Sequence, residues 1–156
     1  MRKSNLLGGL FLVFLFALSC KSKSFYDNVC DIKKGEWHKN QVVKFDVPVV
    51  DTIHGYNLFF EIRNNNEYPY SNLFLFVSTT SPNKAIKKDT IEITLADEKG
   101  KWLGNGLGGI RSNEAMFKRY IRFPVPGFYK VEITQGMRDD VLRGIIDLGL
   151  KIENVK

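Results

Sequence analysis

Apolar and polar side chains alternate with a two-residue period along most of the chain after residue 40. In residues 57–62, for example, Leu58, Phe60 and Ile62 share one face. A period of two places alternate side chains on opposite faces of a β-strand. Seven such segments, each bounded by turn residues, predict strands over 41–50, 56–63, 72–79, 90–97, 117–124, 128–135 and 145–153.

Short strands separated by polar turns predict an all-β domain, an antiparallel β-sandwich of the jelly-roll type. Residues 73–77 are apolar on both sides, so we expect a central strand that is covered on both faces. Pro48 lacks an amide hydrogen and is tolerated only at an edge or a bulge, so we expect the first strand to be peripheral. Gly100 and Gly127 predict tight turns. Residues 137–144 break the alternation and predict one or two helical turns.

The first nineteen residues have the pattern of a lipoprotein signal peptide. Arg2 and Lys3 precede thirteen largely apolar residues, and small Ser19 stands before Cys20. An apolar run of this length is shorter than the roughly 20 residues that span a bilayer. We therefore predict cleavage before Cys20, with a diacylglyceryl group on its thiol and fatty acids such as palmitate as the membrane anchor.

The residues after Cys20 indicate where the anchored domain resides and how it begins. No Asp follows the cysteine and the next residues are basic, which favours the periplasmic leaflet of an outer membrane. Residues 20–35 contain few apolar side chains and predict a flexible lipidated tether, with the sandwich domain over 36–156. With Cys20 acylated, Cys30 has no partner for a disulfide and is expected to be a partly covered thiol.

Composition and charge fit an ordinary globular domain. Apolar residues make up 44% and charged residues 26% of the chain. Without Arg2 and Lys3, 21 cationic residues face 17 acidic ones, a net charge of +4. This mild charge lacks the dense Lys/Arg stripe that tracks a phosphate backbone, so nucleic acid is not expected as a partner.

Candidate catalytic and metal sites are weak in this sequence. The glycine-rich run 104–109 lacks the strand-to-helix context of a dinucleotide fingerprint and the Lys of a phosphate loop, so a connection between strands explains it better. His38 and His54 have no ligand spacing around them. We expect no enzymatic activity, no cofactor and no metal, although a Ser-His-Asp arrangement assembled from distant residues stays open.

Aromatic residues near predicted loops are the candidates for binding. Flat rings stack on sugars and on protein partners, but large aromatics also dominate cores. A glycan-binding sandwich is therefore the alternative to a structural envelope component. The candidate contact residues are Trp37, Tyr68, Tyr70 and Trp102.

Several stretches of the chain resemble the GldH family of gliding-motility lipoproteins of the Bacteroidetes. They are residues 68–73, 89–90, 95–97, 100–108, 135–138 and 144–150, in addition to the lipoprotein signal. The resemblance covers most of the mature domain. It implies an outer-membrane lipoprotein that is needed for gliding, a movement coupled to the type IX secretion machinery, and it implies no enzymatic activity.

Overall fold

A computed structural model describes residues 24–155 of the protein. The described residues form ten strands and one short 3-10 turn, with no α-helix among them. The predicted signal peptide and Cys20 lie outside these residues. The elements are β1 (Ser24–Asp31), the turn (Lys33–Gly35), β2 (Glu36–His38), β3 (Val43–Val49), β4 (Gly55–Asn64), β5 (Asn72–Thr80), β6 (Ile86–Thr94), β7 (Arg111–Ile121), β8 (Gly127–Gln135), β9 (Val141–Arg143) and β10 (Ile145–Val155).

The strands form two four-stranded antiparallel sheets and one small pair. The first sheet has the order β1-β10-β4-β7, the second has the order β3-β8-β5-β6, and β2 pairs with β9. If the small pair is set aside and the other eight strands are counted in chain order, the sheets read 1-8-3-6 and 2-7-4-5. This is the strand order of a jelly roll. The predicted all-β sandwich is therefore confirmed.

Alternation along the strands builds the core between the sheets. In β3 the residues Val43, Phe45, Val47 and Val49 are buried and the residues between them are exposed. β3 is an edge strand, as Pro48 predicts, because Pro48 cannot donate to a second neighbour. The most deeply buried side chains of the inner faces include Phe60, Ile62, Leu73, Leu75, Ile133, Leu148 and Leu150.

The predicted tether over residues 20–35 is wrong for the residues that the structure describes. Ser24–Asp31 forms β1, which pairs antiparallel with β10 from Ser24 opposite Glu153 to Asp31 opposite Asp147. β1 is exposed over much of its length, since it pairs at the sheet edge. Its weak apolar pattern therefore resembles that of a linker.

Three other predictions are corrected by the structure. The outer side of β5 is not covered, and Phe76 is 51% exposed there. Residues 137–144 contain the short strand β9 and no helical turn, because Val141–Arg143 pairs with β2. The fifth predicted strand also begins earlier than expected, at Arg111.

The strand directions define two ends of the sandwich. The anchor-side end contains Ser24, where the described chain begins, together with the connections 50–54, 81–85 and 122–126. The distal end contains the connections 65–71, 95–110 and 136–140. Strands of about ten residues rise about 3.3 Å per residue, so roughly 33 Å separates the ends. The two ends therefore face different surroundings in an anchored protein.

An ion pair with a buried carboxylate links the two central strands of the first sheet. Asp147 on β10 is 2% exposed and lies directly opposite Arg63 on β4. The Arg63 Nε donates to Asp147 Oδ2 at 2.6 Å, and this hydrogen bond, followed by the carboxylate charge, raises the pKa of the guanidinium. A buried carboxylate without such a partner is costly.

We expect Arg63→Met to lower the free energy of unfolding by about 2 kcal/mol, because it leaves the Asp147 carboxylate buried and unpaired. Urea denaturation of the purified protein measures this loss. Arg143→Met is the matched control, since the ion pair of Arg143 with Glu36 at 3.6 Å is exposed. Its loss should be about 0.5 kcal/mol or less. Equal losses in the two variants would contradict the role of Asp147.

Candidate functional site

An aromatic cluster holds together two connections at the distal end. The ring of Tyr68 lies 5.9 Å from that of Tyr70 and 6.4 Å from that of Trp102, measured between centroids. Tyr68 and Tyr70 belong to the β4–β5 connection, whereas Trp102 belongs to the β6–β7 connection. Trp102 is fixed by a bridge to Ala96. The three rings therefore fix the relative positions of two long loops.

The hydroxyl groups of the tyrosines extend this attachment. Tyr68 Oη donates to the carbonyl of Asn72 at 2.7 Å, and Tyr70 Oη donates to Asp139 Oδ2 at 2.8 Å. Burial raises the pKa of Tyr68, so its hydroxyl stays a donor at physiological pH. Through Asp139, the cluster also engages the β8–β9 connection.

The buried side chain of Gln135 shapes that third connection. Its Nε2 donates to the carbonyl of Asp139 at 2.7 Å, and its Oε1 accepts from the amide of Met137 at 2.8 Å. These bonds close the chain after β8 into the bend that was predicted as a helical turn. No buried side-chain nitrogen or oxygen among the described residues lacks a hydrogen-bond partner.

The structure does not place all four predicted contact residues at the surface. Trp37 is 0% and Tyr68 is 2% exposed, and the Nε1 of Trp37 donates to the carbonyl of Gln41 at 3.0 Å. Tyr70 and Trp102 are half-buried against the core. The prediction that all four residues contact a partner or a glycan is therefore wrong for Trp37 and Tyr68, because a buried ring cannot stack on a ligand.

Gly144 permits a close approach of two backbone segments at the distal end. Its φ is +86°, and a Cβ added there would lie 2.2 Å from the amide nitrogen of Tyr68. The Gly144 amide donates to the carbonyl of Gly35, and its own carbonyl accepts from the amide of Asn65. Only glycine satisfies this geometry, so Gly144 fixes the position of the Tyr68 loop.

The glycine-rich run 104–109 is a connection between strands, as its context predicts. Asn105 pairs with Ser112 through two backbone hydrogen bonds, and a Cβ on Gly106 would lie 2.1 Å from the carbonyl oxygen of Ile110. The run turns back closely on itself. At its tip Leu107 is 92% exposed, and Leu103 is exposed beside it.

The exposed leucines were not predicted as functional residues. Leu107 stands between Gly106 and Gly108, so an isolated apolar residue in a turn-forming run was the available signal. The loop that carries Leu107 begins just after Trp102, which bridges to Ala96. A fixed loop with apolar side chains in water is suited to inserting them into a pocket of a partner protein.

The other candidates for chemistry lie apart. Both His38 and His54 are exposed, and His54 Nδ1 is 2.5 Å from Asp51 Oδ2 at the anchor-side end. Cys30 is a free, half-buried thiol, as predicted, and its pKa is raised by burial and then by Asp31. Within residues 24–155, no three His, Cys, Asp or Glu side chains group as metal ligands, and no helix is long and apolar enough to cross a membrane.

Most of the stretches that carry the family resemblance contribute residues to this end of the fold. Residues 68–73, 95–97, 100–108, 135–138 and 144 supply the aromatic cluster, the glutamine bend and the leucine-bearing loop. The family model for the GldH lipoprotein matches residues 24–152. The chain belongs to the GldH lipoprotein family.

Relatives in the GldH family match almost the whole chain. A protein named gliding motility lipoprotein GldH homolog, from Christiangramia forsetii, is 40% identical over 151 residues, which cover 92% of this chain and 91% of the relative. A gliding motility lipoprotein GldH from Flavobacterium johnsoniae is 38% identical over 153 residues, which cover 94% of each chain. This chain is therefore a member of a family of gliding-motility lipoproteins.

Among solved structures, the chain is similar to part of a family GH115 4-O-methyl-α-glucuronidase with specificity for decorated arabinogalactans. The TM-score is 0.47 at 14% identity, and the match covers 86% of this chain and 17% of the glucuronidase. At this level of similarity the match supports no conclusion about activity or ligand.

We expect Gly144→Ala to destabilise the protein by about 3 kcal/mol or more, because the added Cβ meets backbone atoms and the backbone has a positive φ. Thermal unfolding followed by circular dichroism measures the loss. Gly100→Ala is the matched control, since Gly100 has a φ of +78° but no atom within 4 Å of an added Cβ. The free energy of unfolding of Gly100→Ala should fall by only about 1 kcal/mol. Equal losses would show that backbone strain alone explains the effect at Gly144.

Proposed function

We propose that the protein is a non-enzymatic component of the gliding-motility machinery of the cell envelope, linked to type IX secretion. In this proposal it is held at the periplasmic face of the outer membrane by acyl chains on Cys20. Its distal end docks a protein partner through the loop that carries Leu107. The outer-membrane site follows from the absence of an Asp after Cys20.

The observation that carries the proposal is that Ser24, the first described residue after the predicted anchor, and the apolar loop lie at opposite ends. Ser24 lies four residues after Cys20 and pairs with Glu153 at the anchor-side end. Leu107 lies in the β6–β7 connection at the other end and is 92% exposed. An anchored domain of this shape presents its apolar loop away from the bilayer, where a partner protein can reach it.

The hydrogen-bond pattern of the distal end supports a docking role over a catalytic one. The Tyr70 hydroxyl donates to the Asp139 carboxylate, and the Gln135 side-chain amide donates to the Asp139 carbonyl. These polar groups are therefore occupied by bonds to each other. They stabilise the shape of the surface. A catalytic site instead needs convergent polar groups that are free to act on a substrate.

The test is complementation of a deletion strain with Leu107→Asp. We expect normal abundance and membrane fractionation, but loss of spreading and a fall of about tenfold in partner recovered by crosslinking, as for an interface residue that contributes about 1.4 kcal/mol. Asn105→Asp in the same exposed loop is the matched control and should behave as wild type. If the Leu107→Asp strain spreads normally and yields the same amount of crosslinked partner, the proposal that this loop docks a partner is wrong.

Cys20→Ala in the same strain tests the anchor separately. We expect this variant to leave the membrane-anchored lipoprotein fraction and to lose spreading, because no acyl chain can be attached. Unchanged fractionation and unchanged spreading would contradict anchoring through Cys20, whatever the result for Leu107.

A further inference from the structure

A cavity of about 420 Å³ lies between the two sheets near the anchor-side end. Its volume is within the range of small-molecule binding sites, roughly 300–1,000 Å³. Side chains from seven strands, β3 to β8 and β10, and from the connections 81–85 and 122–126 form its walls, and most of them are apolar. Those at its inner end are Val47, Leu58, Phe123, Val131, Leu150 and Ile152.

The cavity lies where the edge strands β6 and β7 contribute charged as well as apolar side chains to the lining. At this end β6 lines the cavity with Ile86, Lys87 and Asp89. On the face that carries Lys87 and Asp89, the apolar residues Ile91 and Ile93 lie nearer the distal end. β7 shifts its register opposite Leu58, which displaces it locally from the regular pattern of the sheet. The space between the sheets is therefore left unfilled.

The mouth of the cavity is cationic. Lys118 Nζ is 3.1 Å from Asp89 Oδ1, so these two charges neutralise each other across the sheets. Lys87 and Arg122 also line the cavity, and neither forms an ion pair with any residue in 24–155. Two cations at the opening of an apolar cavity match a ligand that has a long apolar chain and an anionic head.

The mouth also lies at the end of the domain that is nearest to the lipid anchor. Ser24 is four residues from Cys20, and four extended residues span at most about 14 Å. Val50 is 84% and Ile53 is 76% exposed in the connection at the same end. A short tether and exposed apolar side chains place this end against the bilayer surface.

We propose that this cavity binds the acyl chain of an anionic lipid, with the head group between Lys87 and Arg122. The inference rests on the anchoring at Cys20 that is proposed above. An anionic phospholipid and a free fatty acid share this chemistry. The apolar walls exclude water from the chain, and the two cations fix the head at the membrane surface.

The experiment uses the full chain in cells that are fed a palmitate carrying both a diazirine and an alkyne. After irradiation, the purified protein is digested and the modified peptides are identified by mass spectrometry. We expect adducts on peptides of β7 and of the β5–β6 hairpin that line the cavity. The adduct mass identifies the source as phospholipid or free fatty acid. If every adduct instead joins these peptides to the acyl group on Cys20, the protein's own anchor occupies the cavity. That result would overturn the proposal of a separate anionic lipid.

Thr79→Trp fills the cavity, because Thr79 lines it. The variant should lose the cavity adducts. Ser78→Trp is the matched control, since Ser78 faces the outer side of the same strand opposite Glu132, and it should keep them. Retention of the adducts by a folded Thr79→Trp variant would overturn the site.

A second variant decides the question if Thr79→Trp does not fold. Lys87→Glu with Arg122→Glu changes only charges at the mouth and should reduce the adducts by about tenfold. Unchanged adduct yield would overturn the role of the cations. All variants keep Cys20 and should stay in the membrane fraction. Loss of wild-type protein from that fraction would instead contradict the anchor, whereas absent adducts in membrane-bound wild type would contradict only the cavity site.

Discussion

The pairing of β1 with β10 determines how the rest of the molecule is arranged. β10 lies between β1 and β4, so its amide and carbonyl groups are satisfied on both sides only when β1 is in place. The same pairing places Ser24, the first described residue, opposite Glu153 near the end of β10. Ser24 follows Cys20 by four residues. In the proposed function, this pairing therefore sets which end of the domain meets the membrane.

This constraint divides the jelly roll into two ends with different properties. At the distal end, three connections are held by the Tyr68 cluster and by Gln135, and they support a loop with exposed Leu107. The anchor-side end has an unfilled space between the sheets, and two cations at its mouth form no ion pair within residues 24–155. In the proposed function the first end contacts protein, and in the further inference the second end contacts lipid. Neither role requires chemistry on a substrate.

The sequence predicts the sandwich well because a two-residue period is a local property, and Pro48 correctly indicates an edge strand. It fails at β1, whose exposed edge position removes the apolar alternation, and at Phe76, where a strand that is apolar on both sides is covered on only one. Trp37 and Tyr68 were predicted as surface contacts, but an aromatic ring in a connection packs inward or outward according to tertiary contacts. The cavity has no local signal, since distant strands form it.

The central claim is that the anchor and the apolar loop lie at opposite ends, and energy transfer to the bilayer tests it most directly. The lipidated protein with Cys30→Ser carries one donor fluorophore, through Val50→Cys or Leu107→Cys, in vesicles that contain an acceptor lipid. The account predicts efficient transfer from position 50 and weak transfer from position 107, because roughly 33 Å of strand separates the ends. Equal transfer from the two positions, or stronger transfer from position 107, would contradict it.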